Sequence, residues 1–267
     1  MNMQIDLEKG IANVGDVSRM KEVMARAKRG ERLVIGFIGG SITQGSLSST
    51  PQTCYAYRVY TWWKETFPQA EFVYCNAGIG GTTSEFGAAR VGTDLLAERP
   101  DFVIVEFSVN DESTEHFKET YEGLVRKILG AAWNPAVLLV HNVFYHNGAN
   151  AQVMHAAIGR HYDLPSVSMQ SSIYPEVVAG RIANRAITPD DLHPNDEGHA
   201  LVASVITYFL ERVRSGKLTG SNARFTPGAN LPVPLTKNAY EDSIRIRNAA
   251  APDMAGLPQP TLDGFTP

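Results

Sequence analysis

Five short apolar runs punctuate the chain at Leu33 to Ile38, Glu71 to Cys75, Phe102 to Phe107, Ala136 to Val143 and Leu164 to Met169. Each is nearly continuous rather than alternating, the pattern of strands covered on both faces, as in a parallel sheet. Between them lie segments of helical character at about Val17 to Lys28, Tyr55 to Thr66, Ser84 to Ala97, Thr114 to Ala131 and Ala149 to His161, with a last one from Glu197 to Val213. This order predicts an α/β fold, with a five-stranded parallel sheet between two helical layers. Right-handed crossovers bring all the strand C-terminal ends to one edge, where ligands of open α/β sheets collect. Residues just past each strand are therefore the first candidates for chemistry.

After Lys217 the pattern changes. Seven of the fifteen prolines fall between Thr219 and Pro267, and the apolar runs shorten. This predicts a main domain over residues 1–217 and a proline-rich extension or arm over 218–267. Within the arm, Ser243-Ile244-Arg245-Ile246-Arg247 alternates as a half-buried strand would. It is expected to pair with a sheet edge, with a second copy of the chain in a homo-oligomer, or as the start of a further module.

Of the 267 residues, 43% are hydrophobic and 19% charged, with a net charge of -4. There is no basic surplus of the kind that binds nucleic acid or an anionic membrane, so neither is expected as a partner. No run approaches membrane-spanning length. The N-terminal stretch mixes acidic and apolar residues without the continuous apolar segment of a signal peptide, which predicts a cytoplasmic protein. Cys54 and Cys75 are too few for a disulfide framework and are read as reduced thiols.

The first strand runs into Gly39-Gly40-Ser41-Ile42-Thr43-Gln44-Gly45. Gly40 and Gly45 have the glycine spacing of a phosphate-cradling loop, but Ser46-Leu47 follows where that loop needs a lysine and a hydroxyl residue. A plain turn and a nucleophilic serine held at a strand tip both remain open on this segment alone. The other strands end in Asn76-Ala77-Gly78-Ile79-Gly80-Gly81-Thr82-Thr83 and in Ser108-Val109-Asn110-Asp111, and Asp190-Asp191-Leu192-His193-Pro194-Asn195 precedes the last helix.

Together these segments resemble the sequence blocks of the SGNH hydrolases, the GDSL esterase and lipase superfamily. The order Ser, Gly, Asn, then Asp-x-x-His is matched at Ser41, Gly81, Asn110, Asp190 and His193 over roughly residues 33–213. Two departures stand out: Gly-Gly-Ser-Ile replaces Gly-Asp-Ser-Leu, so Gly40 stands where a carboxylate is usual, and Ser108 replaces a glycine two positions before Asn110. The Gly-Gly-Ser-Ile-Thr form resembles a variant known within the superfamily.

The resemblance implies a flavodoxin-like three-layer sandwich, a Ser41 nucleophile, His193 as its base and Asp190 as the acid that orients the imidazole. Asp191 is the rival for that last role. The implied oxyanion donors are the amides of Ser41 and Gly81 and the side-chain amide of Asn110. No cofactor is implied. Asp190, His193 and His199 are weighed as a metal site, but the remaining histidines have no compact ligand spacing and no metal is expected.

The polar segment Ser46 to Thr53 favours short acyl groups. Tyr55, Tyr57, Tyr60, Trp62 and Trp63 are read mainly as core residues, with a sugar-stacking platform as the other reading. Similarity to bacterial carbohydrate O-acetylesterases implies an acetylated oligosaccharide as substrate. An acyltransferase or thioesterase using the same serine, and a carbohydrate-binding protein without turnover, are the alternatives.

Overall fold

The computed structural model describes residues 5–221 and 230–246. Six strands form one sheet: β1 (Ile11–Asn13), β2 (Arg32–Gly39), β3 (Glu71–Gly78), β4 (Phe102–Glu106), β5 (Ala136–His141) and β6 (Ser166–Ser168). Their spatial order is β1-β6-β5-β4-β2-β3. The five expected strands are parallel, and β1 adds an antiparallel edge on β6. Three residues are too few for β1 to display a periodicity, so its existence depends on a partner more than 150 positions away.

The helices are α1 (Ser18–Lys28), α2 (Ser41–Gln44), α3 (Tyr55–Thr66), α4 (Ser84–Asp94), α5 (Glu115–Leu129), α6 (Gln152–His161), α7 (Met169–Ser172), α8 (Tyr174–Val178), α9 (Asn184–Ile187) and α10 (Asp196–Arg214). The four short ones, α2 and α7 to α9, lie in connections where no sequence periodicity can be read. Alternation along the buried strands divides the core. Phe102 and Ile104 of β4 join α1, α3 and α10 on one face, whereas Val103 and Val105 join α4, α5 and α6 on the other. This is the expected three-layer sandwich, with side chains at successive strand positions pointing to opposite layers. Among the described residues, no helix is long and apolar enough to cross a membrane. Cys54 is buried, Cys75 half-buried, and both are free thiols.

The chain passes from β2 outward to β3 and then returns to the other side of β2 with β4. The C-terminal end of β2 is therefore a topological switch point, the place where an open α/β sheet leaves a crevice.

Of the arm, residues 230–246 lie along α5 and α4. Glu122 of α5 accepts the amides of Leu235 at 2.6 Å and Thr236 at 2.7 Å, and Arg126 reaches Glu241 at 2.6 Å and the carbonyl of Pro232 at 2.7 Å. The alternation at 243–246 is present, but not as the expected strand. Ile244 and Ile246 are more than half exposed, while Arg245 turns inward to Asp94 at 2.5 Å. Its amide makes a backbone hydrogen bond to Ala89 at 2.8 Å. The outer surface of α4 and α5 offers charged partners rather than an apolar groove, so the polar members of the alternating set face in. Arg247 lies outside the described residues.

Candidate active site

Ser41 is the first residue of α2, immediately after the glycines that end β2. Its amide has no acceptor within the helix, as for any residue in a first helical turn. Its hydroxyl Oγ stands 2.8 Å from Nε2 of His193. The other ring nitrogen of His193, Nδ1, stands 2.6 Å from Oδ2 of Asp190. A hydroxyl and an imidazole–carboxylate pair some 150 positions further along the chain thus form one chain of hydrogen bonds at the switch point.

The loop carrying Asp190 and His193 is bent by its own carboxylate. Oδ1 of Asp190 accepts the amides of His193 at 2.7 Å and Leu192 at 3.0 Å, closing an Asx-type turn that swings the imidazole back onto Oδ2. Burial raises the pKa of Asp190, but hydrogen bonds from the His193 ring and from these amides outweigh it and bring the carboxyl down to about 2. Asp190 is therefore ionised at any neutral pH. Its rival Asp191 points elsewhere, to Asn184 at 2.5 Å and Arg185 at 2.9 Å. Asn195 caps α10, its Oδ1 accepting from Glu197 at 3.1 Å and Gly198 at 3.0 Å.

Asn110 approaches from the loop after β4. Its side chain lies so close to Gly40 that a Cβ built there would come within 2.1 Å of Oδ1 and 2.8 Å of Nδ2. Gly40 is thus the residue that gives this carboxamide its place beside the Ser41 turn. The Gly-rich loop after β3 is latched to the same turn. The Gly80 amide donates to Oε1 of Gln44 at 2.8 Å, and a Cβ at Gly80 would lie 3.6 Å from the Cβ of Ser41. Gly81 follows with φ +69°, a left-handed conformation that glycine adopts without strain. Gln44 and Gly80 were not singled out from sequence, where a glutamine after a small-residue turn carries no signal.

Behind the turn runs a buried polar network that sequence reasoning also missed. The hydroxyl of Thr43 lies 2.8 Å from that of Tyr55 and donates to Glu106 at 3.2 Å. Glu106 closes an otherwise apolar strand and is fully buried, and burial, outweighing the hydrogen bond from Thr43, pushes its pKa up to about 7. The native protein therefore keeps a proton on Glu106 that the unfolded chain has already released between about pH 4.5 and pH 7. The contribution of Glu106 to stability is greatest below that window and is lost as pH rises through it. Glu106→Gln should remove this slope and stabilise the protein at pH 8 relative to the parent, by on the order of 3 kcal/mol, as read from urea unfolding at pH 4.5 and pH 8. A parallel slope in both proteins would contradict this.

His199 does not join the cluster around Ser41. It is fully buried, its pKa lowered to about 4 by that burial, and its Nδ1 accepts the Tyr55 amide at 3.2 Å. Among the described residues, no group of three His, Cys, Asp or Glu side chains is placed to hold a metal ion. The aromatic residues of α3 go to the core: Tyr55, Tyr60 and Trp63 are buried in it, and Tyr57 and Trp62 pack against it. The segment after α2 is fastened to the start of α10, where Asp196 accepts the amide of Ser49 at 2.8 Å and its hydroxyl at 2.6 Å.

No curated protein sequence matches the chain. Among solved structures, it is similar to a two-domain esterase (CEX) active on acetylated mannans and co-crystallised with mannopentaose. The two share 68% identity and superpose with a TM-score of 0.86 over 92% of this chain. The chain spans 64% of the length of that esterase. An acetylxylan esterase from Geobacillus stearothermophilus, Axe2, superposes with a TM-score of 0.56 at 20% identity, covering 68% of this chain and 96% of its own, and shares the fold. The family model for GDSL-like lipases and acylhydrolases matches residues 37–201, more than half of the chain and the whole stretch that carries Ser41, Asn110, Asp190 and His193, so the chain belongs to the GDSL-like lipase/acylhydrolase family.

Proposed function

We propose that the chain is a serine esterase that removes acetyl groups from acetylated manno-oligosaccharides. The observation that carries this reading is the unbroken hydrogen-bonded path from Ser41 through His193 to Asp190 at the sheet's switch point. The substrate class comes from the 68% identity to an esterase active on acetylated mannans.

In this reading His193 accepts the proton of Ser41 as its oxygen attacks the acetyl carbonyl, and the imidazolium is held by the ionised Asp190. The negative charge on the former carbonyl oxygen is received by the amides of Ser41 and Gly81 and by Nδ2 of Asn110. The sugar hydroxyl leaves with the proton from His193, and water, activated by the same imidazole, releases acetate from the serine.

Purified protein should release acetate from acetylated manno-oligosaccharides at least tenfold faster than from acetylated xylo-oligosaccharides. On p-nitrophenyl esters its kcat/KM should fall steadily from acetate to octanoate. Equal rates on both glycans would remove the mannan assignment and leave the esterase. Acetyl groups appearing on an added sugar acceptor in place of free acetate would make it a transferase.

A further inference from the structure

The turn that presents Asn110 is held from behind by a second, fully buried acid and imidazole pair. Asn110 and Asp111 both donate their amides to the carbonyl of Phe107, at 3.0 and 2.9 Å, so the two residues share one turn and move together. The carboxylate of Asp111 is taken up by α4 and α6. Its Oδ1 accepts the amide of Ser84 at 2.8 Å, and its Oδ2 stands 2.9 Å from Nε2 of His155 on α6, with both side chains wholly removed from solvent. The His155 ring lies flat on Tyr121 of α5, the ring centroids 3.6 Å apart and the planes within 5°.

A carboxylate this deep is tolerated only when its oxygens are satisfied, and its two partners come from two separate helices, α4 and α6. Ser84 opens α4, three residues after Gly81, and Asp111 follows Asn110 directly. One carboxylate therefore ties together the two loops that bear the Gly81 amide and the Asn110 carboxamide. Those donors must converge on a single oxygen atom, and donors held in advance are what make such a site effective.

We propose that Asp111 is a positioning residue that sets the spacing between Gly81 and Asn110, with His155, clamped by the Tyr121 ring, fixing the direction of its carboxylate. This rests on the oxyanion reading given above. Asp111 itself touches neither substrate nor reacting atoms.

Asp111→Asn preserves size but replaces one acceptor oxygen with an NH2 group that meets a donor. It should lower kcat on p-nitrophenyl acetate by ten- to a hundredfold while leaving KM within about twofold. Introduced into Asn110→Ala, the same change should cost at least five times less than in the parent, because half of what it positions is gone. As a second route that spares the carboxylate, His155→Leu should lower kcat in the same way, whereas His155→Gln, which keeps a donor for Oδ2, should recover most of it.

A full-speed Asp111→Asn beside a slow Asn110→Ala would overturn the proposal alone. So would strictly multiplicative losses in the double variant, or identical rates for the two His155 variants. An Asn110→Ala enzyme as fast as the parent would remove the oxyanion reading itself and the proposal with it.

Discussion

Ser41→Ala is expected to lower kcat for acetyl ester hydrolysis by on the order of ten-thousandfold or more, with KM nearly unchanged and the melting temperature retained. The argument starts from the geometry. The side chain of Ser41 is one hydroxyl, its Oγ 2.8 Å from Nε2 of His193, and an alanine Cβ fits the same place at the start of α2 while leaving the residue 41 amide where it is. Nothing in the core depends on the oxygen. His193→Ala should fall just as far, and the double variant no further, because a nucleophile without its base and a base without its nucleophile are equally idle. Asp190→Ala is a different case. That carboxylate holds the Leu192 and His193 amides as well as the imidazole, so its loss should slow catalysis and also loosen the loop. Acetate release measured beside thermal melts separates the two effects. A Ser41→Ala protein retaining even a tenth of parental activity would remove Ser41 as the nucleophile.

How much of this could be read from the chain depended on whether the deciding partner was local. The central parallel strands were legible because both of their faces are buried, so apolar residues and glycines run without interruption through residues 33–39 of β2 and 102–105 of β4. The Asp-x-x-His pattern was legible because the turn that brings the imidazole back is closed within four residues by Asp190 itself. Asp190 and Asp191 could not be separated by spacing. What separates them is Asn184 and Arg185, which draw Asp191 toward α9.

The same rule explains the inverted alternation at 243–246, where periodicity gives two sets of side chains but not which set faces in. Asp94, on a helix far upstream, makes that choice by pairing with Arg245. Glu106 was hidden for the opposite reason. One acidic residue closing an apolar run reads as a strand terminus, and only the sheet and α2 around it show that its carboxyl is sealed in the core beneath the Ser41 turn. Three-residue β1 lay below the length at which any period can be seen.

Gly40→Ala should lower kcat by about a hundredfold to a thousandfold, as much as removing an oxyanion donor outright. From sequence alone, Gly40 is a missing aspartate. In the folded chain it is the floor on which the Asn110 carboxamide rests, since a methyl group there would overlap Oδ1, Cγ and Nδ2 at 2.1, 2.6 and 2.8 Å. Such overlaps cannot be absorbed by small adjustments, because Gly40 is fixed between the end of β2 and the first turn of α2 and its carbonyl already accepts the Gln44 amide at 3.0 Å. The carboxamide must therefore swing away from Ser41. The decisive comparison is with Asn110→Ala, which vacates the space. In that background Gly40→Ala should be nearly silent, changing kcat by less than about threefold, although it is severe in the parent. Equal losses in both backgrounds would mean that the methyl group acts on the β2 to α2 backbone and not through Asn110. The space beside Gly40 would then have no bearing on how the oxyanion is held.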